Sequence, residues 1–274
     1  MNRKMGYIPS PKDLRDYKIA KSVRKQIILP EEFQLIPTMI KDQGNVGSCV
    51  AHAVSSALEA DQNVMFSTGW IYGYRPEDYY QDAGMIPREA LKTIQKVGAV
   101  KFKNFPYNIE MQRGKVVVDN NLTVLTNYAN EFKIHSYAKL STIQEIKEFL
   151  YTVKLPVPFA INTYNGMDID ENNIIKIPDF ENEECAGGHM MLILGWNEKG
   201  FILQNSWGTE WGNKGLAILP YEYPISEAWG LTIDAPVDPE VEVEPIKPVI
   251  VKPDFYWIRK ILQYLLDLIN GKLK

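Results

Sequence analysis

The chain has 274 residues, a formal net charge of -4, 45% hydrophobic residues and 23% charged ones. That length can bury a large core, in one domain of two lobes or in two domains, and the mild acidity gives no basic patch for a nucleic acid. No run of 18 apolar residues occurs, so no membrane-spanning helix is expected.

The start, Met1-Asn2-Arg3-Lys4-Met5-Gly6, carries charge without a following apolar stretch, so no secretory signal is read and a cytoplasmic location is expected, with release by lysis or association with a virion as variants. Residues 1–40 hold Pro9, Pro11, Pro30 and Pro37 and no long periodic run, which predicts an extended segment laid over the surface. The following Gln43-Gly44-Asn45-Val46-Gly47-Ser48-Cys49 leads into apolar positions Val50, Ala53, Val54, Ala57 and Leu58, one face of a helix running to about Asp61. Ser48 is a favoured N-cap, and His52, Ser55, Ser56 and Glu59 fall on the polar side. Cys49 then sits in the first turn, where unpaired N–H groups and the helix dipole favour thiolate. Taken alone, it reads equally well as a small buried hydrophobe.

Further helices are expected over 67–74 and after Pro87, the latter carrying Ala90, Leu91, Ile94 and Val97 and ending at Gly98. Together they make a helical lobe over about 41–130. From about 131 the pattern changes. A short helix over 141–151 precedes strand-like runs at 157–163, 190–196, 201–204 and 215–219, as in an antiparallel sheet or open barrel. Gly187-Gly188-His189 opens one of these runs, and another leads into Asn205-Ser206-Trp207-Gly208-Thr209-Glu210-Trp211-Gly212. A thiolate, an imidazole to move its proton and an amide to orient the ring form the Cys-His-Asn version of a nucleophile triad. The order and separation of Cys49, His189 and Asn205 match those of papain-like enzymes.

Past the sheet, five prolines between 236 and 253 predict a polyproline spacer over 235–253 that can reach roughly 50 Å. Residues 254–274 then read as an amphipathic helix, too short to span a bilayer, which could lie on a membrane surface, dock on a protein partner or pack on its own domain. No Cys/His cluster with metal-ligand spacing and no Gly-rich phosphate loop occurs, so neither metal nor cofactor is expected.

Gln43 with Cys49, Gly187-Gly188-His189 and the Asn205–Gly212 run are three separate motifs in the order of the papain family, and the sequence resembles that family over about residues 7–233. The resemblance is to its prokaryotic or phage type. It implies an α+β, two-lobe, papain-like fold within 1–234, with a helical N-terminal lobe, a barrel-like antiparallel C-terminal lobe and the site in the cleft between them. It implies a thiol endopeptidase that passes through a thioester intermediate. Cys49 would be the nucleophile, His189 the proton carrier and Asn205 its orienter. Trp207 would cover the His–Asn bond, and Gln43 would donate to the oxyanion. The same resemblance places peptide backbone on Gly84 and Met85, and a side-chain pocket of apolar preference among Met85, Ala160, Gly188 and Met190. It lays part of residues 1–40 between the lobes, a segment too short and too little helical to serve as the inhibitory propeptide of secreted relatives. Val46 stands where secreted members carry a disulfide cysteine, so Cys49 and Cys185 are expected to be free, as in a reducing compartment. His135 and Cys185 are expected to be idle. Two alternatives remain at this point: an amidase or peptidase directed at peptidoglycan during phage lysis or wall turnover, and a catalytically weak binding module using the same cleft.

Overall fold

The structure is a computed structural model that describes residues 3–13, 27–62, 64–75, 84–107, 122–164 and 167–233. The expected spacer at 235–253 and helix at 254–274 lie outside the described residues. Helix α1, Cys49–Gln62, follows the apolar spacing foreseen for it. Its polar side is not a solvated face, however. His52, Ser55, Ser56 and Glu59 are buried with the rest, because Lys41 reaches over them, its Nζ 2.8 Å from Ser55 Oγ and 2.7 Å from Glu59 Oε1. A buried carboxylate needs such a partner.

Helix α2, Thr68–Gly73, is capped by Ser67, whose hydroxyl accepts the Trp70 N–H at 3.0 Å. Helix α3, Pro87–Lys96, starts on proline, whose missing N–H costs nothing there. Gly98, at φ 96°, ends it and returns its N–H to Thr93 O. A 3-10 turn at Phe102–Asn104 and helix α4, Leu122–Ala129, complete the helical part. Helix α5, Ile143–Val153, starts two residues later than expected, at a Thr142 cap that accepts the Glu145 N–H at 3.1 Å.

Strands β1 (Phe33–Gln34), β2 (Ser136–Lys139), β3 (Val157–Tyr164), β4 (Cys185–Asn197), β5 (Gly200–Gln204), β6 (Leu216–Leu219) and β7 (Glu227–Thr232) form one sheet, ordered β2-β7-β3-β4-β5-β6, with β1 on β4. All pairs between these strands are antiparallel. The sheet is open: among the described residues, β2 and β6 do not pair to close a barrel. Strand β4 is its centre and packs on α1, with Met190 to Leu194 fully or almost fully buried in the core they share.

The described residues of 1–40 are not simply laid over the surface. β1 pairs with β4 at Trp196 and Gly195, where any side chain on Gly195 would strike Phe33 O. Further upstream, Tyr7 is buried in the core between the helical part and the sheet.

Candidate active site

Cys49 opens α1 and His189 lies in the first half of β4, so packing α1 on that strand brings the two elements face to face. The Cys49 sulfur is reached by the backbone N–H of Met190, the residue after His189. Asn205 follows β5, and its Oδ1 lies 2.8 Å from His189 Nε2 and 2.7 Å from the Ser206 N–H. An atom that accepts a backbone N–H must be the oxygen of the amide. Nε2 therefore carries the ring proton, and the bare lone pair is on Nδ1. Among the described residues, that Nδ1 is buried without a hydrogen-bond partner. Buried polar atoms are nearly always paired, and those that are not mark strain or chemistry.

Trp207 lies over the imidazole, with ring centroids 4.7 Å apart and planes tilted by 32°, and Trp211 packs edge-on behind it at 5.7 Å. Gln43 is held from the sheet side. Its Oε1 accepts the Ser206 hydroxyl at 2.7 Å and its backbone N–H donates to Ser206 O at 2.9 Å. That fixes which end of the amide faces the cleft: Nε2 donates to Val46 O at 2.8 Å and to Lys4 O at 3.1 Å. Ser48 contacts the ring of His52 and the Tyr107 hydroxyl through its own hydroxyl, at 3.2 and 2.9 Å. Its carbonyl accepts the His52 N–H, as that of an N-cap residue does.

Burial acts on the ionisation of both Cys49 and His189. Burial pushes the Cys49 thiol up to about 11, against the smaller pull of nearby N–H groups, and draws His189 down to about 4 against its bond to Asn205. A helix terminus does favour the thiolate, but here desolvation outweighs it. Both shifts favour the uncharged forms, thiol and neutral imidazole.

The desolvation has a visible cause. Residues 3–8 run through the cleft and touch both walls. Gly6 O accepts the Met85 N–H at 2.8 Å, the Ile8 N–H donates to Met85 O at 3.2 Å and the Tyr7 N–H to Gly188 O at 3.0 Å. Tyr7 and Met85 form a parallel bridge. The Gly6 N–H reaches the Cys49 sulfur, and Cys49 and His189 are both 0% exposed. Of the residues expected to meet peptide, Gly84, Met85 and Gly188 lie directly against this segment. Ala160 and Met190 are cross-strand partners within β3 and β4 and are fully buried.

Glu227 is the site residue that sequence reasoning missed. It pairs with Ala160 across β7 and β3 and is 3% exposed. Its carboxylate accepts from Tyr7 OH at 2.9 Å, the Ser10 N–H at 3.1 Å and Trp229 Nε1 at 2.7 Å. The one signal available was a lone acidic residue opening the apolar run Ala228-Trp229-Gly230-Leu231. Cys49 and Cys185 are both free, the first buried and the second exposed. Among the described residues no cluster of metal-ligating side chains occurs, and no helix is long and apolar enough to cross a membrane.

An α+β fold with a cysteine at the head of a helix and an Asn-paired histidine on the facing sheet defines a class of thiol hydrolases. Residues 33–223 match the papain family of cysteine proteases, and the chain belongs to that family, hydrolases of EC 3.4.22 type. An uncharacterized peptidase C1-like protein of Acanthamoeba polyphaga mimivirus is 25% identical over 268 residues, covering 83% of this chain and 84% of the relative. The thiol protease aleurain of Arabidopsis thaliana is 24% identical over 192 residues, and the match takes in only 51% of its length. Among solved structures, xylellain, a cysteine protease from Xylella fastidiosa, superposes with a TM-score of 0.71 at 26% identity, covering 86% of this chain and 99% of that one. The bromelain protease of Ananas comosus shares the fold, with a TM-score of 0.58 at 17% identity over 75% of this chain and all of that one.

Proposed function

We propose that the protein is an endopeptidase in which Cys49 attacks the peptide carbonyl, His189 carries the proton and Asn205 sets the ring. The observation that carries this reading is the buried Nδ1 lone pair of His189, left bare because Asn205 Oδ1 engages the other nitrogen. As substrate enters, Nδ1 takes the thiol proton and the sulfur adds to the carbonyl carbon. The oxyanion is met by Gln43 Nε2 and the Cys49 N–H. Collapse expels the amine with the proton from His189 and leaves a thioester. Water, deprotonated by the same nitrogen, then releases the acid and returns the thiol. Trp207 keeps solvent off the His189–Asn205 bond throughout.

Peptide backbone would pair with Met85 and Gly188, whose backbone groups hold residues 6–8 in this structure. The side-chain pocket reached over Gly188, with Met85, Ala160 and Met190 around it, was expected to be apolar. Glu227 at its far end favours instead a side chain with an apolar body and a hydrogen-bond donor at its tip, as Tyr7 has. The peptidoglycan reading drew on the spacer and terminal helix, which lie outside the described residues, and no feature of the cleft favours a binding module.

The test is hydrolysis of a peptide library by the full chain and by Cys49→Ala and His189→Ala. Loss of at least about 10³ in kcat/KM in both variants supports the reading. Retention of activity in Cys49→Ala overturns it.

A further inference from the structure

The loop 43–48 joins the two groups proposed to meet the oxyanion, with Gln43 at its start and the Cys49 N–H directly after its end. It contains Gly44, at φ 62°, and Gly47, so its backbone is not stiff enough to hold those ends by itself. One side chain ties them together. The Tyr107 hydroxyl donates to Gln43 O at 3.0 Å and lies 2.9 Å from Ser48 Oγ. Behind Ser48 stands His52, buried at the end of the first turn of α1, with Nδ1 3.0 Å from Ser48 O and 3.2 Å from Ser48 Oγ. The protons along this row follow from the acceptors. A carbonyl oxygen only accepts, so His52 Nδ1 carries its ring proton toward Ser48, and the Tyr107 proton is used on Gln43 O. The Ser48 hydroxyl therefore accepts from His52 and donates to Tyr107. The rings of His52 and Tyr107 meet edge-on, centroids 4.9 Å apart and planes at 83°. A serine at a helix N-cap ordinarily turns its hydroxyl to the free N–H groups of the first turn. Among the described residues, this one has His52 and Tyr107 as its partners instead.

We propose that His52 is a positioning residue for the oxyanion hole, acting through Ser48 and Tyr107 to hold Gln43 and the Cys49 N–H at a fixed separation. The proposal rests on the peptidase reading and deepens it. Two donors stabilise one oxygen only while both lie roughly 2.7–3.1 Å from it, so their separation matters as much as their presence. Gln43 is pinned from the sheet side by Ser206, through side chain and backbone. The Cys49 N–H belongs to the head of α1. Tyr107 couples these two supports across the loop, and His52 sets the direction of the coupling. With no donor at Nδ1, the Ser48 hydroxyl is released to turn its proton away, and Tyr107 loses the bond that draws it to Ser48. Hydrogen bonds in a row polarise one another, so a loss at the His52 end also weakens the bond to Gln43 O. The row ends on a backbone carbonyl, and no proton is transferred along it during turnover. His52 thus acts on where the donors stand and takes no part in the chemistry of the thiol.

Packing and positioning make opposite demands on this residue, which two variants separate. His52→Phe keeps a flat ring beside Tyr107 and removes the donor. His52→Asn gives up the ring and keeps an N–H donor where Nδ1 stands. The readouts are kcat and KM for a peptide amide, and the rate of Cys49 alkylation by iodoacetamide, which forms no oxyanion. Melting curves confirm that each variant folds. His52→Phe is expected to lower kcat about tenfold, a part of what a whole oxyanion donor supplies, with KM and the alkylation rate little changed. His52→Asn should recover kcat to within about threefold of the parent, even where its melting temperature is lower. Tyr107→Phe breaks the same row further along and should reproduce the loss, and the double variant with His52→Phe should lose little more than either single one. A parent-like kcat in His52→Phe with an impaired His52→Asn overturns the proposal, as does alkylation that falls in step with kcat. A parent-like kcat in Tyr107→Phe, which changes no residue of α1, overturns it too. Peptide hydrolysis that survives in Cys49→Ala overturns instead the peptidase reading on which the proposal rests.

Discussion

Gln43→Ala isolates one element of the proposed chemistry. The side chain is wholly buried, and its amide is oriented from behind by the Ser206 hydroxyl at 2.7 Å, so its Nε2 is aimed before any substrate arrives. Removing one such preorganised donor costs on the order of 10²–10³ in kcat, about 3–4 kcal/mol of transition-state stabilisation. The same truncation leaves the Ser206 hydroxyl without this acceptor, a loss of about 1–3 kcal/mol of stability. In a protein of this size that lowers Tm by roughly 3–10 °C. Two assays separate the roles: hydrolysis of a peptide amide, which develops an oxyanion, and alkylation of Cys49 by iodoacetamide, which does not. Hydrolysis is expected to fall by the stated factor. Alkylation is not expected to fall, and should rise somewhat because residues 3–8 lose the contact of Lys4 O with Gln43. A parallel drop in both rates, or a loss of hydrolysis under tenfold, would mean that Gln43 serves only to pack the cleft.

Lys41→Met strands Glu59 in the core, where the Phe66 N–H remains its partner, and a loss of about 3–5 kcal/mol in urea unfolding is expected; a change under 1 kcal/mol would show that water reaches the carboxylate. Burial draws both His52 and His189 down, to about 3 and about 4. For His52 the nearby Lys41 adds to the effect, while Ser48 and Asp42 oppose it. Below the ordinary histidine range of about 6.5 the unfolded chain binds protons that the folded one refuses, so stability falls with pH from about 6.5 down to each lowered value, by on the order of 3 kcal/mol per histidine. Urea midpoints measured from pH 7 to pH 4 should show this slope, shallower in His52→Gln; a flat profile contradicts the neutral, buried assignment.

What could be read from the sequence was whatever is local. Gln43, Cys49, His189, Asn205 and Trp207 sit in short runs whose residue types the chemistry itself demands, and α1, α3, α5 and the strands β3 to β6 show in their apolar spacing. Long-range pairing left weaker marks. Strand β2 is half-buried along its length, and β7 carries Glu227 and Gly230 among its apolar residues, so neither alternates cleanly. The burial of the polar side of α1 could not be read because its partner, Lys41, is distant in sequence from Glu59 and reaches it only after folding. The resemblance put part of residues 1–40 between the lobes, but its contacts were hidden for the same reason: Gly6 and Tyr7 are unremarkable until Gly47, Met85, Gly188 and Glu227 are brought to them. The pull of burial on Cys49 was out of reach for a like reason: the helix terminus is a local feature and the burial that opposes it is not.

The most direct measurement is to trap the thioester. Incubating the full chain with an activated peptide ester, quenching in acid and mapping the acylated peptide should give one adduct, on Cys49. His189→Ala should lower its rate of formation by at least about 10³, because the thiol then lacks its proton acceptor. An adduct on Cys185, or acylation of Cys49 at the same rate without His189, would contradict the account.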